Sequence, residues 1–572
     1  MKTIAQTFLG VILAAAFLAI LPVLLLLAVS SMDFGGGLEE GSWLTISLSG
    51  DLPEYYPPPT LRSVTGEAAP CLTEILENLD KAAVDERIAG VLFEIGSFSA
   101  GPGKLDELRS GILRVRETGK PVHAHAEMLT GGGLYVSGVC DSTFLFPKGE
   151  VVLHGRGASI LHVKGALRKL DVNDQIHQIG KYKSAAEMMT RERSSSEAIE
   201  NLRWLVEEIS DAVDEEMTRD LDLPEGALDE MRKESVFLAS DALTAGLVDA
   251  LVDREELETL LGGEDELPTV SSAEYADIPP RDAGIAGEHG VAVIHAQGFV
   301  AAGGEDGYDP VLGMTLGPDR IVDNLREAAE DDDIVAIILR WDTGGGASIG
   351  GEKIARAVAR AKAEKPVVVS VGDVAASAGY MMSQNADRII CPAKGITGSI
   401  GSITGKFNTS GFWEKLGVRH DHISFGPNAF LYSGLHDFTD SEWEIVKKTH
   451  WESYRRWVEE IAKARGMSFD DVDKIGRGRV WTGRQALGLG LVDDLGGFDR
   501  AVEVALELAE ADPAEGAALT HFPKRKSLAD MVLSGEILEL GKASIIQEAG
   551  QALQRSVAPE TVRWAWEPLR IR

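Results

Sequence analysis

Residues Glu364–Ser383 read EKPVVVSVGDVAASAGYMMS, and 245 residues earlier Gly119–Ser137 read GKPVHAHAEMLTGGGLYVS, a second copy of one pattern. The likeness extends outward from both. Upstream, RIAGVLFEIG (Arg87–Gly96) matches DIVAIILRWD (Asp333–Asp342). Downstream, RKLDVNDQIHQIGKYKSA from Arg168 matches EKLGVRHDHISFGPNAF from Glu414 at an offset of 246, and SVFLASDALTAGLVDALVD from Ser235 matches RVWTGRQALGLGLVDDLGG from Arg479. Each copy opens on an apolar strand ending in glycine, SWLTISLSG at Ser42 or GVAVIHAQG at Gly290, and then alternates helical patterns with short apolar runs. Such alternation predicts βαβ units, hence an α/β fold with a mainly parallel sheet covered by helices in each copy. The chain divides accordingly: an N-terminal segment over 1–40, a first repeat over 41–254, a linker rich in Glu, Asp, Pro, Gly and Ser over 255–289, a second repeat over 290–510 and a tail over 511–572.

Within this symmetry the copies differ where chemistry is at stake. Ser377 stands opposite Gly132, and Lys183 stands opposite Ala429. A serine at a strand-to-helix turn among small residues can expose its hydroxyl beside free helix N–H groups, which favour developing negative charge. The same pattern also occurs in purely structural turns. The turn TGGGAS at Thr343 lets backbone amides approach a reacting carbonyl as an oxyanion hole, or is simply a flexible glycine turn. Neither copy has a histidine near its serine turn, so a Ser-His-Asp triad has no local support. The remaining base is a lysine, which loses proton affinity when desolvated and can then serve a serine nucleophile.

The 572 residues, 44% of them hydrophobic, can bury sizeable cores. A net charge of -34 argues against nucleic acid as a partner, because phosphate binding needs basic surface. Cys71, Cys140 and Cys391 are odd in number and far apart, which predicts buried free thiols. The 12 histidines include no HExxH pattern; no metal or cofactor is expected. Phe8 to Val29 carries no charge and is long enough to cross a bilayer, so it reads as a membrane anchor; a cleaved signal peptide, with its shorter apolar core, is the alternative. Lys2 before it and Asp33, Glu39 and Glu40 after it favour a cytoplasmic amino terminus with the body outside the cytoplasm. The tail, with PKRK at Pro523 and with Trp564 and Trp566, fits packing, oligomer contact or association with a membrane surface.

GKYKSAAE at Gly180, TGGGAS at Thr343, VAASAGYMM at Val374 and ITGSIGS at Ile396, together with the duplication, resemble the signal peptide peptidase A (protease IV) family in its long, tandem-repeat bacterial form. The likeness runs from the N-terminal span to about Gly497. It implies two crotonase/Clp-protease-like repeats behind a transmembrane helix, and a cofactor-free serine protease assembled as a homotetramer. That enzyme would sit in the bacterial inner membrane with its body on the periplasmic side and degrade signal peptides and other apolar peptides. Carried over by motif, Ser377 matches the nucleophile, Lys183 the general base and Ser399 the hydroxyl that orients the lysine. Gly345 and the amide of Ala378 match the oxyanion hole. The complementary losses at Gly132 and Ala429 then mean one site built from both copies. Two positions depart from the family: Gly344 stands where a proline is usual, and Ala378 where glycine is frequent; neither removes a reacting group, so the departures bear on rate or specificity more than on mechanism. The competing readings are acyl-CoA chemistry on a crotonase fold and a catalytically silent membrane scaffold.

Overall fold

The computed structural model describes residues 38–55, 70–263, 266–309 and 312–524. The span read at Phe8–Val29 and the tail beyond Lys524 lie outside the described residues. Among those described, no helix is long and apolar enough to cross a membrane.

In the first repeat, β1 (Ser42–Asp51), β2 (Ile88–Ser99), β3 (Val122–Thr130) and β4 (Ser142–Val152) pair side by side in parallel, with β6 (Val236–Leu238) antiparallel to β4, β7 (Ala250–Leu251) parallel to β4 and β8 (Thr269–Ser271) parallel to β1. A separate strand, β5 (Asn173–Ile179), leaves this sheet. Helices α1 (Leu72–Val84), α2 (Pro102–Glu117), α3 (Gly131–Ser137) and α4 (Ser196–Asp220) follow the strands. In α1 the residues Leu72, Ile75, Leu76 and Leu79 form one buried stripe, the pattern of a helix laid on a sheet.

The second repeat rebuilds the plan. β9 (His289–Gln297), β13 (Ile334–Thr343), β14 (Val367–Ala376) and the short β15 (Arg388–Cys391) and β16 (Ile396–Gly398) run parallel, with β18 (Val480–Thr482) antiparallel to β16 and β19 (Asp494–Leu495) beside β15. β14 is buried at every position, as a parallel strand covered on both faces must be. β10 (Phe299–Val300), β11 (Gly307–Asp309) and β12 (Gly313–Leu316) form a small separate sheet.

The stretch read as a linker is folded. Arg254–Gly262 is helix α5, started by a capping box between Asp253 and Glu256; β8 extends the first sheet; and α6 (Ser272–Ala276) packs beneath it. Likewise the tail begins inside the second sheet, because β20 (Ala517–Phe522) pairs with β9 as β8 pairs with β1. β8 and β20 were hidden because each is an edge strand whose regularity comes from the neighbouring strand, and α5 because a helix opening on three charged residues looks like linker composition.

Helices α7 (Pro318–Glu330), α8 (Ser348–Ala361), α9 (Ala378–Ser383), α10 (Asp440–Arg465) and α11 (Phe498–Leu508) cover the second sheet. The repeats are locked together in three ways. β5 pairs antiparallel with β17 (Ser402–Asn408), a ribbon with one strand from each repeat. Val374, Ala376 and Ile396 belong to the first repeat's core, and Ile179 to the second's. Buried Arg340 meets Glu54 at 2.6 Å and Glu107 at 2.9 Å, and buried Lys104 meets Asp342 at 2.6 Å, all across the interface. Cys71 and Cys391 are buried free thiols pushed up to about 12 by burial, so they are inert; Cys140 is free and half-buried.

Candidate active site

β14 ends at Ala376 and α9 begins at Ala378, leaving Ser377 at the corner with φ 57° and ψ -115°. This is a costly conformation for a residue with a side chain, of order 1–3 kcal/mol, and it persists only where surroundings impose it. Here the Ser377 N–H donates to Gly398 O at 2.9 Å, tying the corner to β16. The matching corner of the first repeat is relaxed: Thr130 precedes α3 at φ -96°, and Gly132 lies within the first turn of that helix.

Lys183 arrives from the other repeat. The β5–β17 ribbon pairs Ile179 with Ser402, and four residues later Lys183 stands against the corner. Its Nζ lies 2.7 Å from Ser377 Oγ, 3.0 Å from Ser399 Oγ and 3.0 Å from Ser399 O. The side chain is buried, and desolvation alone brings it down to about 7 from an ordinary 10.5. Among the described residues no carboxylate pairs with it, so nothing offsets the loss of water.

A neutral amine has two N–H donors and one lone pair. The carbonyl and hydroxyl oxygens of Ser399 can take the two hydrogens, which aims the lone pair at the Ser377 hydroxyl. Ser399 itself is held at φ 52° with its N–H donating to Arg479 O at 2.8 Å.

Gly345, at φ 109°, sits directly against the corner: a Cβ there would fall 2.7 Å from Ser377 Cβ and 3.0 Å from Ala378 N, so only glycine fits. Its own N–H donates to Thr343 Oγ1 at 3.1 Å, while Thr343 Oγ1 donates to Gly298 O at 2.6 Å. The Gly345 amide therefore already has an internal partner. The Ala378 amide belongs to the first turn of α9, where N–H groups have no intrahelical acceptor.

The sequence-derived residues Ser377, Lys183, Ser399, Gly345 and Ala378 thus meet in one place. Ala429, the counterpart of Lys183, lies in an exposed turn. Two contributors went unread. Thr343 fixes the glycine turn, and Gly478, at φ 82°, is pressed so close that a Cβ would lie 2.3 Å from Lys183 N. The only sequence signal for the second was the glycine in GRGRV before Val480.

The model of the peptidase family S49 matches the chain twice, at residues 114–267 and 359–512. The chain belongs to peptidase family S49. It is the tandem-repeat form of the family and a serine protease. The chloroplastic serine protease SPPA of Arabidopsis thaliana is 29% identical over 510 residues, 87% of this chain and 74% of that protein. Protease 4 of Haemophilus influenzae is 31% identical over 522 residues, 85% of this chain and 83% of its own. Among solved structures, a ClpP1 mutant from Listeria monocytogenes aligns over 36% of this chain and 91% of that one, at 14% identity and a TM-score of 0.23.

Proposed function

We propose that this S49 peptidase cleaves peptide bonds with Ser377 as nucleophile and Lys183 as general base. The observation that carries the reading is the 2.7 Å approach of a buried, carboxylate-free Lys183 Nζ to Ser377 Oγ. Neutral Lys183 takes the hydroxyl proton as Oγ attacks the carbonyl carbon, and the Ala378 N–H receives the oxyanion. The Gly345 N–H joins it by leaving or sharing Thr343 Oγ1. Collapse of the tetrahedral species expels the amine, which takes the proton back from Lys183, and water, deprotonated by the same lysine, releases the acyl group.

The substrates on this reading are signal peptides left after cleavage and other apolar peptides, met at the bacterial inner membrane by a body anchored through Phe8–Val29 on the extracytoplasmic side. A homotetramer is the assembly this reading expects, and the fold offers segments through which copies could join. The counterparts of β5 and β17 by the repeat offset are residues 419–425 and 156–162; neither forms a strand here, and Ile423 and Phe425 are 92% and 103% exposed. Copies joined head to tail would pair these segments as β5 pairs with β17, a heterologous contact of the kind that builds rings where its rotation closes.

The test is modification of the full chain by an alkyl fluorophosphonate, with turnover of a synthetic signal peptide alongside. Wild type should label at Ser377 and cleave, whereas Lys183→Ala should do neither while remaining folded, with a cooperative melt. A folded Lys183→Ala protein with undiminished turnover would sink the dyad.

A further inference from the structure

A few residues along the chain from the nucleophile's neighbours lies a cleft of about 210 Å³ whose polar lining includes Ser348, Ser402, Thr404, Tyr432, His450 and Ser453. Ser348 opens α8 directly after the glycine turn that touches Ser377, and Ser402 opens β17 three residues after Ser399. Both walls are therefore continuous with the segments that flank the reacting hydroxyl. An extended peptide advances about 3.3 Å per residue, so a side chain within about four residues of the scissile bond reaches this cleft.

The lining is internally braced. His450 Nε2 lies 2.8 Å from Ser402 Oγ, and His450 Nδ1 lies 2.8 Å from Nδ1 of His177, which comes from the first repeat. One of the facing Nδ1 atoms carries the proton and the other accepts it, so the ring is fixed in either tautomer. Burial, with His177 adding to it, brings His450 down to about 4, and burial with Lys447 beside it lowers His177. Both rings are consequently uncharged wherever Lys183 is neutral. Ile403, Val446 and Phe438 contribute apolar surface, but an all-apolar occupant would strip water from the hydroxyls of Ser348, Thr404 and Ser453, which have no partner among the described residues. A charged occupant would find no counter-ion among the lining residues.

We infer that this cleft is a side-chain subsite of the protease that selects a neutral polar residue, Ser, Thr, Asn or Gln, at one substrate position near the scissile bond, with His450 as a positioning residue that orients the Ser402 hydroxyl toward the occupant. The inference rests on Ser377 being the nucleophile. It also separates this position from the apolar character of the substrate as a whole.

The experiment uses quenched fluorescent peptides varied one position at a time over four residues on each side of the cleavage point. They are turned over by wild type, His450→Leu, His450→Gln and Ser453→Leu, and alkyl fluorophosphonate labelling of Ser377 is followed in each protein. Wild type should show one position at which the polar residues exceed Leu by about tenfold in kcat/KM, the size of one hydrogen bond. At that position alone His450→Leu should lose or invert the preference, and His450→Gln, which keeps an uncharged hydrogen-bonding head, should retain most of it. Ser453 is exposed, so Ser453→Leu fills the cleft without disturbing the core and covers the case in which His450→Leu does not fold. A preference for Leu at all positions in wild type, or a polar preference unchanged in Ser453→Leu with Ser377 still labelling, overturns the subsite. Failure of wild type to label at Ser377 overturns the nucleophile reading, and the subsite with it.

Discussion

Two buried lysines in this fold show how neighbours decide a charge. Burial pushes Lys104 down, but Asp342, Asp373 and Glu54 outweigh it and hold the amine above its ordinary value. Lys183 is equally removed from water and, among the described residues, has as polar partners only the hydroxyl and carbonyl oxygens of Ser399 and the Ser377 hydroxyl, so it loses its proton near pH 7. Activity should therefore rise as pH increases through about 7 and stay high on the alkaline side. Ser399→Asp would put a carboxylate within hydrogen-bond reach of Nζ and favour the ammonium. We expect its turnover at pH 7.5 to fall about 100-fold and its pH–rate limb to move to higher pH; a limb that stays in place would mean that Lys183 is not the titrating base. The same shift has a stability consequence. Because the folded lysine is depressed, the unfolded chain binds the extra proton between pH 7 and 10.5, and wild-type stability rises with pH across that window. Lys183→Met should accordingly be more stable than wild type at pH 7 by a margin that shrinks by about 1.4 kcal/mol for each unit of pH toward 10.5, measured by denaturant titration at several pH values.

At the scale of elements, the site is held by two ribbons that reach across the repeats: β5 against β17, and the turn at Gly478 against the backbone of Lys183. A Cβ on Gly478 would meet Lys183 N and Cα at 2.3 and 2.4 Å and would strain a backbone at φ 82°. Gly478→Ala should therefore displace the base and cost about 100-fold in kcat, since an ångström of misplacement can cost that much. Gly488→Ala, with nothing within 4 Å of its Cβ, should be silent. Equal kinetics for the two variants would remove the clamp from the account. This contrast also marks what could be read from the chain. β13 and β14 announce themselves because parallel strands buried on both faces are runs of Val and Ile, and Ser377 and Lys183 stand out because each has a counterpart that lost the group. Gly478 gave no such signal: its partner is 295 residues away, and the contact is steric, between backbones. β8 and β20 were missed because their regularity is borrowed from the edge strands β1 and β9.

Over the whole molecule, the repeats behave as halves of one enzyme and not as two domains on a string. Arg340 of the second repeat is neutralised by Glu54 and Glu107 of the first, Glu107 being raised to about 7 by burial against the pull of Arg340. Asp373, four residues before Ser377, accepts the N–H groups of Gly101 at 2.9 Å and Lys104 at 3.0 Å, so the start of α2 braces the strand that carries the nucleophile. Breaking a buried pair of this kind by removing one partner costs about 3–5 kcal/mol. Separate halves would expose these charges and the shared apolar contacts at Val374, Ala376 and Ile396, and neither would hold both Lys183 and Ser377. Each half purified alone should be inactive and poorly folded, and co-expression should restore turnover. The position of the cut matters as well. Leu257 and Leu267 pack against Trp43, and Tyr275 Oη donates to Asp85, so a first half ending at Arg254 loses part of its own core. A cut after Gly284, beyond those contacts and before β9, should reconstitute several-fold more activity than a cut after Arg254, with the recovered complex measured by gel filtration and peptide turnover. Hydrolysis by the second half alone, abolished by Ser377→Ala, would show that another base serves the serine and that the site is not shared.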